Sequence, residues 1–416
     1  MLDDVSGKPH TPKTPLWKRN LIILWFGTFM ASVGFSEVMP FLSLYVATLG
    51  HFSRGELSIY SGVTFAATYL VAGIVSPMWG SLADRLGRKP MLLRASLGMA
   101  LVMGCMGLVS NVWELIVLRL IQGIFSGYIG NANTLIATQA PKENSGRALG
   151  TLATGSVSGS LLGPLLGGVL AQFFGYRPTF FITGVLLLSA FVLTLIFVKE
   201  DFEPVTKEET NSPKEVVASL KHPRLVFALF FTTLIIQASN TSISPIISLY
   251  VKQIMHGSNA VSLFAGIVSS VPGIATILAA PRLGELGDRV GTELVLTFGF
   301  VFAILIYIPM AFVTNVWQLI GLRFLIGVSN ASMLPSVQTL LSKNSPTEVT
   351  GRVFSWNQSF QYLGMVVGPV IGSLVSGAFN YQMVFISTSV LVAINFLWVW
   401  NNTRSLRKKH LDQLHR

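Results

Sequence analysis

Of the 416 residues, 51% are apolar and only 11% are charged, about half the charged share of an ordinary soluble domain. So few charges do not cover a water-soluble globule, and the length divides into long apolar stretches rather than into two or three soluble domains. The net charge of +11 is scattered in short runs between those stretches, which is a pattern of membrane topology and argues against nucleic acid as a partner.

Each apolar stretch exceeds the roughly 18 residues that mark a span, and in hydrocarbon such a segment satisfies its own backbone only as a helix. Residues 1–19 are polar, with Pro9, Pro12 and Pro15, and read as a cytoplasmic tail. Spans are predicted at 20–46, 57–79, 91–110, 113–139, 147–172 and 179–198, then at 223–251, 260–281, 293–314, 316–341, 352–377 and 381–400. The first run is too long for a signal-peptide core and lacks a cleavage site, so it is read as a retained span. With the N-terminus inside, and with basic residues at the cytoplasmic ends of spans counted with the adjoining segments, all but five of the 29 Lys and Arg fall in cytoplasmic segments. Arg54, Arg177 and Lys252 lie in outer loops, and Arg119 and Arg323 within spans. The opposite orientation breaks the positive-inside rule at nearly every loop, so both termini are expected in the cytoplasm of a multi-pass protein of the cell membrane.

The first span carries Glu37, the only carboxylate well inside a span and so a functional candidate by default, here for the coupled proton. Gly34 and Phe41 share its face, and Phe35 is placed with it at a substrate cavity. The loop after the second span holds Gly80, Asp84, Arg85, Gly87, Arg88 and Lys89. Its glycines permit a tight turn, and Asp84 has no use in a loop that is only positive-inside, so these residues are read as a cytoplasmic gate. Cys105 in the third span is the only cysteine, so no intrachain disulfide is possible; it reads as small apolar filler.

In the fourth span Arg119, Gln122, Ser126, Gly130 and Asn133 fall on one helical stripe. An arginine there faces the protein interior or a wet cavity. The alternative is a brace on backbone carbonyls of a neighbouring helix, which its counterpart Arg323 favours. Glu114, near the outer end of that span, reads as interfacial, and no histidine falls within a span. In the fifth span Gly155, Gly159, Gly163 and Gly167 recur every four residues, a spacing that lets helices approach closely. Pro164 can bend that helix, and Gly168 follows. Residues 199–222 mix Glu200, Asp201, Glu203, Glu208, Glu209 and Glu215 with lysines and prolines, and read as a solvated cytoplasmic linker.

The chain then repeats itself. Pro40 to Val46 returns as Pro245 to Val251, Asn111-Val-Trp113 as Asn315-Val-Trp317, Arg119 as Arg323, and Pro164 as Pro369. A weaker copy of the gate runs from Gly284 through Asp288 and Arg289 to Gly291, without the basic tail. The seventh span has a polar stripe of Gln237, Asn240, Thr241, Ser244 and Ser248, expected to line a central cavity opposite the fourth. Trp356 and Tyr362 are candidates for its apolar wall. The eleventh span echoes the fifth with Gly364, Gly368, Pro369 and Gly372, but with Phe360 at the first glycine. An even offset of six spans makes the halves parallel repeats about an axis along the membrane normal. The domains are then an N-terminal bundle, 20–198, and a C-terminal bundle, 223–400, with a second cytoplasmic tail at 401–416.

The gate loop resembles the cytoplasmic signature of the major facilitator superfamily. The fourth span resembles the motif whose arginine is associated with its proton-coupled members, and the fifth its antiporter motif. Together with the tracts Ala132 to Gln139 and Trp356-Asn357-Gln358, they make the chain similar to the twelve-span drug:proton antiporters, more narrowly to their bacterial multidrug efflux branch, over essentially its whole length. The resemblance implies an all-α fold of twelve transmembrane helices in two pseudo-symmetric six-helix bundles. It implies alternating access around a midplane site, and a gate at Asp84 that pairs across the cytoplasmic mouth and favours the outward-open state. The expected partners are protons, a small-molecule substrate and the lipid bilayer. The protein is expected to act as a monomer, with no cofactor and a proton gradient as its energy source. Export of amphipathic drugs is the leading expectation. Export of one endogenous metabolite such as a sugar, or a non-transporting receptor, are the alternatives, the last opposed by the intact motifs. No phosphate-binding loop, metal cluster or nucleophile triad is found in the sequence, so no enzymatic activity is expected.

Overall fold

The computed structural model describes residues 15–201, 213–220, 222–256 and 258–402. The predicted tails before residue 15 and from 403, and linker residues 202–212, lie outside the described residues. The rest is helical: α1 Leu16–Ser36, α2 Leu42–Val46, α3 Arg54–Leu86, α4 Arg88–Met106, α5 Val112–Ile124, α6 Tyr128–Gln139, α7 Lys142–Phe174 and α8 Tyr176–Phe197. A short α9, Pro213–Ser219, precedes α10 Pro223–Ser242, α11 Ser244–Ile254, α12 Val261–Val290, α13 Thr292–Met310, α14 Val316–Lys343, α15 Thr347–Ala378 and α16 Tyr381–Asn402. Paired as α1–α2, α5–α6 and α10–α11, these make twelve rods. Ten are long and apolar enough to cross a membrane by length and composition; α1–α2 and α4 complete the set.

Local chemistry sets the helix ends, often twice. The Asn111 side chain accepts the Glu114 N–H at 3.0 Å to start α5, and Asn315 accepts that of Gln318 at 3.0 Å to start α14, each satisfying an otherwise orphaned donor. Gly87 and Gly291 close the two gate loops at φ +94° and +107°, where a side chain would be strained. Three spans predicted as continuous are interrupted, at Glu37 to Phe41, at Phe125 to Gly127 and at Ile243. Pro40 and Pro245 lie at the first and third of these, and a proline has no N–H to continue the ladder. Gly127 at φ +106° makes the second.

The N-terminal bundle packs α1 on α7, α3 on α5 and α4 on α8; the C-terminal bundle repeats this as α10 on α15, α12 on α14 and α13 on α16. The Tyr45 hydroxyl donates to the Met106 carbonyl at 2.9 Å and that of Tyr250 to Met310 at 3.1 Å, the same bond in each half. The linker is not solvated throughout. In its described second part Val216 and Leu220 are buried in the C-terminal core, because residues four apart on a helical turn share one face.

The bundles meet along two seams, α3 with α15 and α7 with α12. Down α3, a Cβ at Gly55, Gly62 or Gly73 would touch α15, while one at Gly80 meets nothing within 4 Å. On the other seam Gly266 and Gly273 press on α7, whereas Gly284, Gly150 and Gly146 face open space. At the end away from the gate loops, Ser43 donates to the Pro245 carbonyl at 2.6 Å, Gln172 to that of Asn259 at 2.5 Å, and Arg54 to that of Phe379. The molecule is thus closed at that end and parted at the end where the described chain begins and ends.

Candidate functional site

The glycine ladder of α7 climbs the backbone of α1. A Cβ on Gly155 would lie 2.7 Å from the Trp25 carbonyl oxygen, one on Gly159 2.3 Å from that of Phe29, one on Gly163 2.0 Å from Ser36 Oγ, and one on Gly167 2.0 Å from the Glu37 carbonyl oxygen. The next residue, Gly168, turns to the other bundle, where its Cβ would meet Gly266 Cα at 2.9 Å; Gly266 in turn lies under the Pro164 carbonyl. In the C-terminal half Gly364, Gly368 and Gly372 press in the same order on Leu234, Ala238 and Ser242 of α10. Phe360 takes the place of the first glycine, and its ring stacks on Phe230 at 5.3 Å.

Glu37 is fully buried at the break between α1 and α2. Its Oε1 accepts a hydrogen bond from Thr183 of α8, and Oε2 has no partner among the described residues. The repeat sets Ser242 and Thr388 in these places, hydroxyl to hydroxyl at 2.9 Å, so only the N-terminal copy holds a carboxylate. The face of α1 shared by Gly34 and Phe41 turns into its own bundle. Gly34 lies against Leu187, and Phe41 stacks on Tyr176 at 5.9 Å and meets Phe180 edge-on at 5.4 Å. Phe35 is half-buried beside this cluster. Helical spacing shows that these residues share a face; it cannot show which neighbour the face meets. In this state Glu37 is sealed from solvent instead of lining an open cavity.

Arg119 is 3% exposed. Its Nε donates to the Thr64 carbonyl of α3 at 3.1 Å and its Nη1 to Gln122 Oε1 at 2.6 Å. Arg323 does the same to Val268 of α12 at 3.2 Å, which is the brace geometry in both halves. A Cβ on Gly73 of α3 would lie 3.4 Å from Tyr362 of the other bundle, so Tyr362 stands at the α3–α15 seam. Gln122 Nε2, fully buried, has no partner among the described residues. The stripe predicted along the fourth span does not run on as one face, because the break at Phe125 to Gly127 resets its register. Ser126 stays buried, while Gly130 and Asn133 face open space. Gln237 packs against Gly364 and Thr241 against Gly368, so this pair serves the α10–α15 contact. Asn240 is half-buried, as is Trp356, whose ring meets Phe230 edge-on at 6.5 Å.

In the gate loop Asp84 pairs with Arg88 one turn on, and Arg85 is exposed. Among the described residues no ion pair joins the two bundles: the second loop pairs Glu285 with Arg289 at 2.5 Å, and Asp288 with Lys343 at 4.0 Å. The expected pairing across the mouth is therefore not made in this state, in which the mouth is parted. Three residues take parts not expected from the sequence, Glu200 among them, which was read as solvated linker. Glu200 accepts the N–H groups of Arg88 and Lys89, both at 2.7 Å, and so caps α4 as an anion at a helix N-terminus. Asn20, fully buried, bonds to Gln139 and to the Lys199 carbonyl at 2.7 Å each. Arg94, counted with the cytoplasmic charges, lies within α4. It donates to the carbonyls of Ile124 and Ser126 at 3.2 and 2.7 Å and stacks 3.6 Å from the Trp79 ring centroid, satisfying the broken end of α5. All three join segments distant in sequence, so no local pattern marks them.

Residues 24–263 and 229–413 match the family model of the Major Facilitator Superfamily. The multidrug resistance protein MdtG of Salmonella paratyphi A is 50% identical over 391 residues, covering 94% of this chain and 97% of that protein. Its namesake in Escherichia fergusonii is 50% identical over 392 residues, covering 94% and 96%. Among solved structures, a bacterial homologue of the human lysosomal transporter Spinster, inward-facing and unoccupied, superposes with a TM-score of 0.77 at 15% identity, covering 95% of this chain and 98% of its own. The human organic anion transporter MFSD10 superposes with a TM-score of 0.66 at 16% identity, over 93% and 100%.

Proposed function

This chain belongs to the major facilitator superfamily, and on that premise we propose that it exports amphipathic drug-like compounds across the cell membrane in exchange for protons, by alternating access. The relatives named multidrug resistance proteins, 50% identical over 94% of the chain, support the cargo class. The distribution of Lys and Arg supports a cytoplasmic location for both termini, and with it an inward-facing state for the parted bundles. Inward movement of one proton supplies about 2.3 kcal/mol per 100 mV of membrane potential. The gradient is the energy source in this reading, with no cofactor and a single chain as the working unit.

The observation that carries the coupling is the place of Glu37. It is fully buried, it lies where the first span breaks, and its backbone is gripped by the last rung of the glycine ladder. A titratable group there, where the other half has Ser242, gives one bundle a charge state that the other lacks. Glu37→Gln keeps the shape and removes the titration. Liposomes holding this variant should lose uphill ethidium export driven by a pH gradient, yet keep downhill exchange. Uphill export at the wild-type rate would move the proton to another carboxylate, and a panel of unrelated dyes separates a multidrug exporter from one built for a single metabolite.

A further inference from the structure

We propose that Thr183 is the positioning residue that reads the protonation state of Glu37, by switching the acceptor of its one hydroxyl hydrogen. The inference rests on Glu37 carrying the coupled proton and adds how that charge state is registered in α8. Thr183 Oγ1 has two acceptors within reach, Glu37 Oε1 and, at 3.0 Å, the Thr179 carbonyl oxygen one turn back. A hydroxyl has one hydrogen and two lone pairs. When Glu37 is ionised, the carboxylate takes that hydrogen, since a charge-assisted bond is about twice as strong as a neutral one. When Glu37 is protonated, its own O–H donates to Thr183 Oγ1, and the threonine hydrogen turns to Thr179. A back-bond of this kind biases the bend of a helix, so the switch passes from the carboxyl to α8.

The surroundings leave few other responses. The backbone of Glu37 is pinned, because the Cβ that Gly167 lacks would lie 2.0 Å from its carbonyl oxygen and 3.0 Å from its Cα. Both side chains are buried, Glu37 fully and Thr183 at 1% exposure. Of the charged and titratable groups on the packed elements, Tyr45 donates to Met106, Arg177 to Val109, and Tyr176 stacks on Phe41. Those of α7 lie in its first two turns, far from Gly167. Arg119 is engaged by Thr64 and Gln122. The mirror site shows what the pair is without the switch. Ser242 and Thr388 bond each other at 2.9 Å, and each has a carbonyl of its own helix in reach, Ser239 at 2.9 Å and Val384 at 2.7 Å. Neither partner titrates, so nothing there changes with pH.

The test needs no substrate. In detergent-purified protein, infrared spectra across a pH series follow the C=O stretch of the protonated carboxyl, assigned to Glu37 by its loss in Glu37→Gln. Thr183→Val removes the hydroxyl and keeps the volume. The ionised carboxylate loses its donor, so protonation should persist to higher pH, with the midpoint moved up by about one unit. Thr183→Ser should return it to the wild-type position. A folded Thr183→Val protein with an unmoved midpoint overturns the proposal while leaving Glu37 as the proton carrier. Failure to find any titrating band that Glu37→Gln abolishes overturns both. Should Thr183→Val not fold, Thr183→Ala carries the same comparison.

Discussion

Arg119 shows how far a single residue can be interpreted before its neighbours are known. A buried arginine in a span invites a role in proton coupling, yet its Nε holds the Thr64 carbonyl as that of Arg323 holds Val268. Removing either guanidinium takes a charged donor from a carbonyl of the neighbouring helix, a loss of about 1.5–3 kcal/mol for a bond to a charged group. Arg119→Ala and Arg323→Ala should therefore lower stability by similar amounts, read as thermal unfolding of the purified protein. A transport defect in Arg119→Ala at wild-type stability would assign that arginine to the pathway instead. Glu37 was legible as the lone carboxylate of a span, but its contact with Thr183, 146 positions away, was not. Glu200, Asn20 and Arg94 were invisible for the same reason.

At the scale of elements, the ladder of α7 has one function that spacing alone reveals and one that it does not. Recurrence every four residues marks a close-packed face. That the face meets α1, and that Gly168 beside Gly167 crosses to Gly266 of the other bundle, follows only from the packing. Two neighbouring glycines thus link the backbone of Glu37 to the seam along which the bundles move. Gly167→Ala places a methyl 2.0 Å from the Glu37 carbonyl oxygen, an overpacking that typically costs 1–3 kcal/mol. Gly104→Ala, in α4 and away from both seams, meets nothing within 4 Å. Transport should collapse in the first and stay at the wild-type rate in the second, both measured against the amount inserted. Equal activity in the two would reduce the ladder to filler.

For the whole molecule, the arrangement of the seams predicts which contacts must break. The end away from the gate loops is held by Ser43 to Pro245, Gln172 to Asn259 and Arg54 to Phe379, and alternating access requires these to part. In a Cys105→Ser background, Gly55→Cys with Gly377→Cys, where a Cβ on Gly377 would lie 3.6 Å from Gly55 Cα at this end of the α3–α15 seam, should crosslink on oxidation and stop transport, and a reductant should restore it. Transport through the crosslinked protein would mean that this end need not open. The sequence by itself determined the spans, the repeat, the orientation expected from Lys and Arg, and the motif glycines. All of these are written in composition and short-range periodicity, which act along the chain. Tertiary structure alone decided which face of each helix turns inward, that Val216 and Leu220 join the C-terminal core, and that the gate carboxylate stays within its own loop while the mouth is parted. These depend on contacts between residues tens to hundreds of positions apart, and a helix with several near-equivalent apolar faces does not encode which of them its neighbours will cover.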